Sequence, residues 1–131
     1  MDLKNKKIGF IITDVFYAID SIIPKIKELV KLGCDVVPII SFNNISEKSD
    51  IIINKIKNIT NKNIILNAEE ADLIGPKKLT DILVIAPCSG TTISKLALDI
   101  TDDTATIAVK SHLRNDLPVV IAPTTNNGLS R

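Results

Sequence analysis

The sequence predicts an α/β domain: three layers, with a doubly wound, mostly parallel sheet between helices. Three observations predict it. Short apolar runs recur along the chain, segments of helical period separate them, and each run ends in a loop of small polar residues. Alternating strand and helix implies right-handed βαβ crossovers and a sheet covered on both faces.

Four runs read as buried strands, too continuously apolar to be half-exposed: Lys7 to Ile12, Asp35 to Ile40, Ile82 to Ala86 and Pro118 to Ala122. A weaker run, Asn63 to Leu66, lies between the second and third. The first helix, Ala18 to Leu32, sets Ile19, Ile22, Ile23, Ile26, Leu29 and Val30 on one face, and Gly33 is expected to end it as a C-cap. Ser49 to Ile59 repeats the pattern with Ile52, Ile53, Ile56 and Ile59, and Thr91 to Leu98 and Asp103 to Asn115 follow as helices.

With 131 residues the chain has room for one core. Hydrophobic residues make up 45% but aromatics only 3%, so that core must be aliphatic and base stacking on nucleic acid has little support. A formal net charge of +1, with its charges scattered, names no polyanionic partner. Cys34 and Cys88 lie far apart, outside any CxxC or Cys/His spacing, which disfavours a zinc site or a disulfide framework and makes a reducing cytoplasm the default. The N-terminal apolar run is broken by Asp14, too early for a signal peptide or a membrane span, so no membrane partner is expected.

In doubly wound sheets ligands bind beyond the carboxyl ends of the strands, where strand order reverses. The loops there are Thr13-Asp14-Val15, Ser41-Phe42-Asn43-Asn44, Pro87-Cys88-Ser89-Gly90-Thr91-Thr92 and Pro123-Thr124-Thr125-Asn126-Asn127. None is a GxGxxG or a P-loop. Hydroxyls and amides beside a helix N-terminus favour a phosphate or carboxylate, although the same residues commonly serve only as caps and turn formers. Lys95, Lys110 or Arg114 would suit a dicarboxylate electrostatically, against the alternative of solvated helix positions.

Two segments carry a resemblance. Lys7 to Thr13, with Tyr17, Asp20, Pro24 and LVKLGCDVVPIIS, and then IAPCSGTTISKLALDITDDTATIAVKSHLRNDLPVVIAPTTNNGLS, resemble the family of dipicolinate synthase B-type subunits. The match runs through the APxxGxxxSKLA loop, Thr101-Asp102, the K-x-x-x-R-N run and the PVV strand, and Gly75-Pro76-Lys77 adds to it. That family is flavoprotein-like and related to the FMN-containing cysteine decarboxylases, phosphopantothenoylcysteine decarboxylase and flavin prenyltransferase. The resemblance implies a Rossmann-like flavoprotein fold, a homo-oligomer, and Thr13, Ser41, Ser89, Gly90, Thr91 and Thr92 as cofactor-binding positions. It also implies that residues 1–131 are a single flavoprotein-like domain lacking the family's C-terminal helix and strand.

The activity implied is that of the B-type subunit in the NADP-linked oxidation of dihydrodipicolinate to dipicolinate, in the mother cell of a sporulating bacterium. NADP is then expected on the partner, the A-type dehydrogenase of dipicolinate synthase, and a small dicarboxylate as substrate. The alternatives are an FMN-binding decarboxylase or prenyltransferase-like flavoprotein, and a noncatalytic assembly subunit of the dehydrogenase. Where the flavoproteins have a small pair after the first threonine, this chain has Asp14 and Val15. A carboxylate repels a phosphate dianion and Val15 has neither hydroxyl nor glycine freedom, so FMN is expected weakly bound or absent unless Asp14 turns away. The only histidine, His112, is expected at an exposed helix position, which disfavours a cysteine decarboxylase. Cys88, at a helix N-terminus that would lower its pKa, has no base nearby in sequence and is read as a small loop residue. No residue is assigned as catalytic and no metal ligand set is expected.

Overall fold

The computed structural model describes residues 3–43 and 46–123. Strand β1 (Lys7–Thr13) leads into helix α1 (Phe16–Lys31), then β2 (Asp35–Ser41), α2 (Glu47–Thr60), α3 (Ala68–Asp72), β3 (Ile82–Cys88), α4 (Gly90–Ala97), α5 (Thr104–Leu113) and β4 (Val119–Pro123). The four strands among the described residues are all parallel, in the order β2-β1-β3-β4. The chain leaves β1 toward β2 on one side and returns to β3 on the other. Strand order therefore reverses between β1 and β3.

The two-residue period of a strand divides the isoleucines between two cores. Ile8, Phe10 and Ile12 of β1 face α1 and α2, packing with Ile19, Ile23, Ile26, Ile40 and Ile56. Ile11 faces the other way, with Ile39, Leu83, Ile85, Ile74, Ala105, Ala108 and Val109 on the side of α3 and α5. Burial of each such isoleucine contributes about 1.5–3 kcal/mol. Gly9 is required here, because a Cβ would stand 2.5 Å from Leu83 Cδ1 and 2.6 Å from Thr80 Cγ2.

Gly33 ends α1 as expected, at φ +88, with its N–H on the Val30 carbonyl and the Cys34 N–H on that of Leu29. Ser46 and Ser49 form a reciprocal capping box that starts α2 before Ser49, and Asn61 closes that helix in the left-handed region. The run Asn63 to Leu66 gives only an isolated parallel bridge, Ile39 to Ile65, rather than a strand. Helix α3 has no counterpart among the expected elements, being too short to show a period. Its signal is the cap: Asn67 Oδ1 accepts the Glu70 N–H at 2.9 Å.

The last strand corrects an expectation. Pro118 to Ala122 reads as buried, whereas Val120 is 53% and Ile121 42% exposed. Among the described residues β4 has a single sheet neighbour, β3. No described helix is long and apolar enough to cross a membrane.

Candidate functional site

The switch point lies at the carboxyl ends of β1 and β3, and Thr13 ties the two strands together there. Its buried hydroxyl donates to the Pro87 carbonyl and accepts the Ser89 backbone N–H at 3.1 Å. Ser89 then caps α4: its Oγ accepts the Thr92 N–H at 3.1 Å and lies 2.9 Å from Thr92 Oγ1. Thr91 is exposed and its hydroxyl has no partner among the described residues. Gly90 occupies the first position of α4, and nothing lies within 4 Å of where its Cβ would be. Helix amides with open space above them form a place that an anion or a flat ring can approach closely.

Ser41 is in register with Thr13, one strand over. Its hydroxyl oxygen accepts the Ala105 N–H at 3.1 Å, which joins the end of β2 to the start of α5. Thr13, Ser89 and Thr92 thus form one hydrogen-bonded turn around Gly90, with Ser41 beside it. An aromatic pair borders the same edge: Phe16 and Phe42 stand 5.1 Å apart, with Lys48 Nζ 5.5 Å from the Phe16 ring centre. With three phenylalanines in the chain, no periodicity signals this pair. The fourth loop, Thr124 to Asn127, and Asn44 of the second lie outside the described residues.

The charged candidates sit elsewhere. Lys95 Nζ contacts Asp102 Oδ1 at 2.9 Å and Asp103 Oδ2 at 3.0 Å. Those carboxylates raise its pKa, the hydrogen bond to Asp102 foremost, and Lys95 serves the cap of α5 rather than the strand edge. Burial pushes the Asp103 carboxyl up, but the Thr106 N–H and hydroxyl together with Lys95 outweigh it and hold it below the ordinary value. Lys110 and Arg114 line a cleft between α4 and α5. They stand five and nine residues beyond Ala105, roughly 7 and 13 Å along the axis from the Ser41 contact.

Two expectations are corrected. His112 is fully buried, not exposed: Nε2 donates to the Pro118 carbonyl at 2.9 Å, so Nδ1, 2.6 Å from Thr80 Oγ1, accepts that hydroxyl. The ring is a fastener at the amino ends of β3 and β4. Nothing in the sequence signals Thr80 as its partner. Cys88 is the last residue of β3, fully buried, and burial raises its thiol to about 11, overriding the lowering expected from the helix. Among the described residues no cluster of His, Cys, Asp or Glu could hold a metal ion.

The fit to FMN is uneven around this edge. The open space at Gly90 accommodates a closely approaching group. At the turn after β1, by contrast, the Thr13 hydroxyl is already engaged on both sides, α1 has no side-chain cap at Val15, and the Asp14 carboxylate has no partner among the described residues. The Thr13 hydroxyl therefore has no hydrogen left to donate to a phosphate at that turn.

A flavoprotein family model matches residues 1–129. The B-type subunit of dipicolinate synthase from Bacillus subtilis is 36% identical over 97% of this chain, and the chain spans 66% of that protein's length. The crystal structure of the corresponding dipicolinate synthase protein from Bacillus halodurans superposes with a TM-score of 0.87 at 34% identity, over 99% of this chain and 69% of that one. The FMN-dependent cysteine decarboxylase SpaF, at 20% identity and a TM-score of 0.76 over 98% of this chain and 74% of that one, shares the fold.

Proposed function

Because this chain belongs to the flavoprotein family, and within it to the B-type subunits of dipicolinate synthase, we propose that it serves as that component of the enzyme. In this reading it works beside a dehydrogenase, the A-type partner, that carries NADP and oxidises dihydrodipicolinate to dipicolinate during sporulation. The observation that carries the reading is the 36% identity extending over 97% of the chain. Thr13, Ser41, Ser89, Gly90, Thr91 and Thr92 supply the site, with the Gly90 turn as the point of closest ligand approach. Amides and hydroxyls at a helix N-terminus suit the carboxylates of a small dicarboxylate, and Asp14 would turn away a phosphate at the neighbouring turn.

A second reading, that the edge holds FMN, is supported by the open space at Gly90 and by the fold shared with FMN-dependent enzymes. Bound flavin would supply redox or carbanion-stabilising chemistry at that edge.

The test is co-expression with the dehydrogenase partner, measuring NADP-linked dipicolinate formation with and without this chain. Turnover that requires both proteins supports the reading, and equal turnover by the dehydrogenase alone refutes it. The absorbance of the purified chain separates the second reading: a yellow sample favours bound flavin, and a colourless one that takes up no FMN counts against it.

A further inference from the structure

The cleft between α4 and α5 encloses about 300 Å³, at the lower end of the range for small-molecule sites. Leu96, Ile100, Val109 and Leu113 give it aliphatic walls. Lys110 and Arg114, one helical turn apart, stand where it meets a smaller polar cleft of about 140 Å³ that also contains Thr101 and Asp72.

Neither cation has an ion pair among the described residues. Asp116, two residues beyond Arg114, lines neither cleft, and Asp102 and Asp103 are held by Lys95 and by the start of α5. The acids that line the clefts are Asp99 on the larger and Asp72 on the smaller. The Thr101 hydroxyl also has no partner among the described residues. Two cations, an unused hydroxyl and an aliphatic wall in one cleft are complementary to an apolar body that ends in a negative group. The planar fork of Arg114 matches a carboxylate in two-point contact, and Lys110 adds a point charge. With Asp99 and Asp72 offsetting part of the positive charge, a singly charged carboxylate fits better than a phosphate dianion.

We propose that this cleft is a second binding site, separate from the strand edge, for a small organic carboxylate. The apolar body lies against Leu96, Ile100, Val109 and Leu113, and the carboxylate meets Arg114 and Lys110. The competing account is that the two long side chains merely lay their stems on apolar surface with their charges in water. That account gives the cleft no preference for anions.

The experiment is a methyl-resolved NMR titration of the full 131-residue chain with hexanoate and with benzoate, using hexanol and hexylammonium as controls. Saturable shifts at the methyls of Leu96, Ile100, Val109 and Leu113 are expected with the carboxylates, much weaker ones with the alcohol and none with the amine. The double variant Lys110→Gln/Arg114→Gln should weaken carboxylate binding at least about tenfold with an unchanged Tm, and Asp99→Asn should tighten it. Absence of saturable shifts, equal response to hexanol and hexanoate, or shifts centred on the Ser89 and Gly90 amides would overturn the proposal.

Discussion

Thr13 and Ser89, 76 positions apart in sequence, share a hydrogen bond of 3.1 Å in which the threonine hydroxyl takes the serine backbone N–H while donating to the Pro87 carbonyl. One side chain satisfies two backbone groups at the point where strand order reverses. Thr13→Val keeps the shape and leaves both groups unpaired, so it should cost about 1–3 kcal/mol in urea unfolding. Thr13→Ser should recover most of that loss. Equal stability of the valine variant would mean that water replaces the strap.

A second strap closes the opposite end of the sheet. Replacing His112 by Phe removes a buried donor to Pro118 and the acceptor for Thr80, and is expected to destabilise the fold by about 1–3 kcal/mol. Thr80→Val should lose much of its own cost in the His112→Phe background, a coupling of about 1 kcal/mol measurable in a double-mutant cycle. Strict additivity would show that the two side chains act independently.

Cys88 makes a prediction about pH. Its thiol titrates near 11 in the folded protein against an ordinary 9.0, so the folded state keeps its proton where the unfolded state has lost it. The contribution to stability is whole below about pH 9 and declines as the pH rises through 11. Chemical denaturation between pH 8 and pH 11, compared with Cys88→Ala, should show the decline in the parent alone. At neutral pH a thiol reagent should reach Cys88 only through unfolding, with a rate that rises with denaturant.

Two glycines should respond oppositely to a single methyl group. At Gly75 an added Cβ would lie 2.2 Å from the Ser111 carbonyl oxygen, in a joint where the Gly75 N–H already bonds Ser111 Oγ at 2.7 Å. Gly75→Ala should cost about 1–3 kcal/mol or more. At Gly90 the same methyl meets nothing, so Gly90→Ala should leave stability unchanged or improve it by up to about 1 kcal/mol. It should also weaken any ligand that approaches the α4 turn, dicarboxylate or flavin, as read by calorimetry. Unaltered binding would move the site away from this turn.

The alternation of strand and helix was legible because parallel strands covered on both faces are continuously apolar, and the helices between them keep their period. The loop around Gly90 was legible too, since Ser89 and Thr92 stand at capping distance from each other in sequence. Less visible were features that depend on distant partners. His112 looked like an ordinary helix residue because Thr80 and Pro118 become its neighbours only in the folded chain. Lys95 looked available for a substrate until Asp102 and Asp103 turned back onto it.

The sequence by itself determined the fold class, the Gly33 cap that ends α1 and the loops that follow β1, β2 and β3, because periodicity, capping and turn chemistry act over a few neighbouring residues. Tertiary structure alone decided that β4 lies beside β3, that Cys88 is sealed, and that the Thr13 hydroxyl is a strap between β1 and β3. Those outcomes depend on which strands become neighbours across the sheet. No local pattern records that choice.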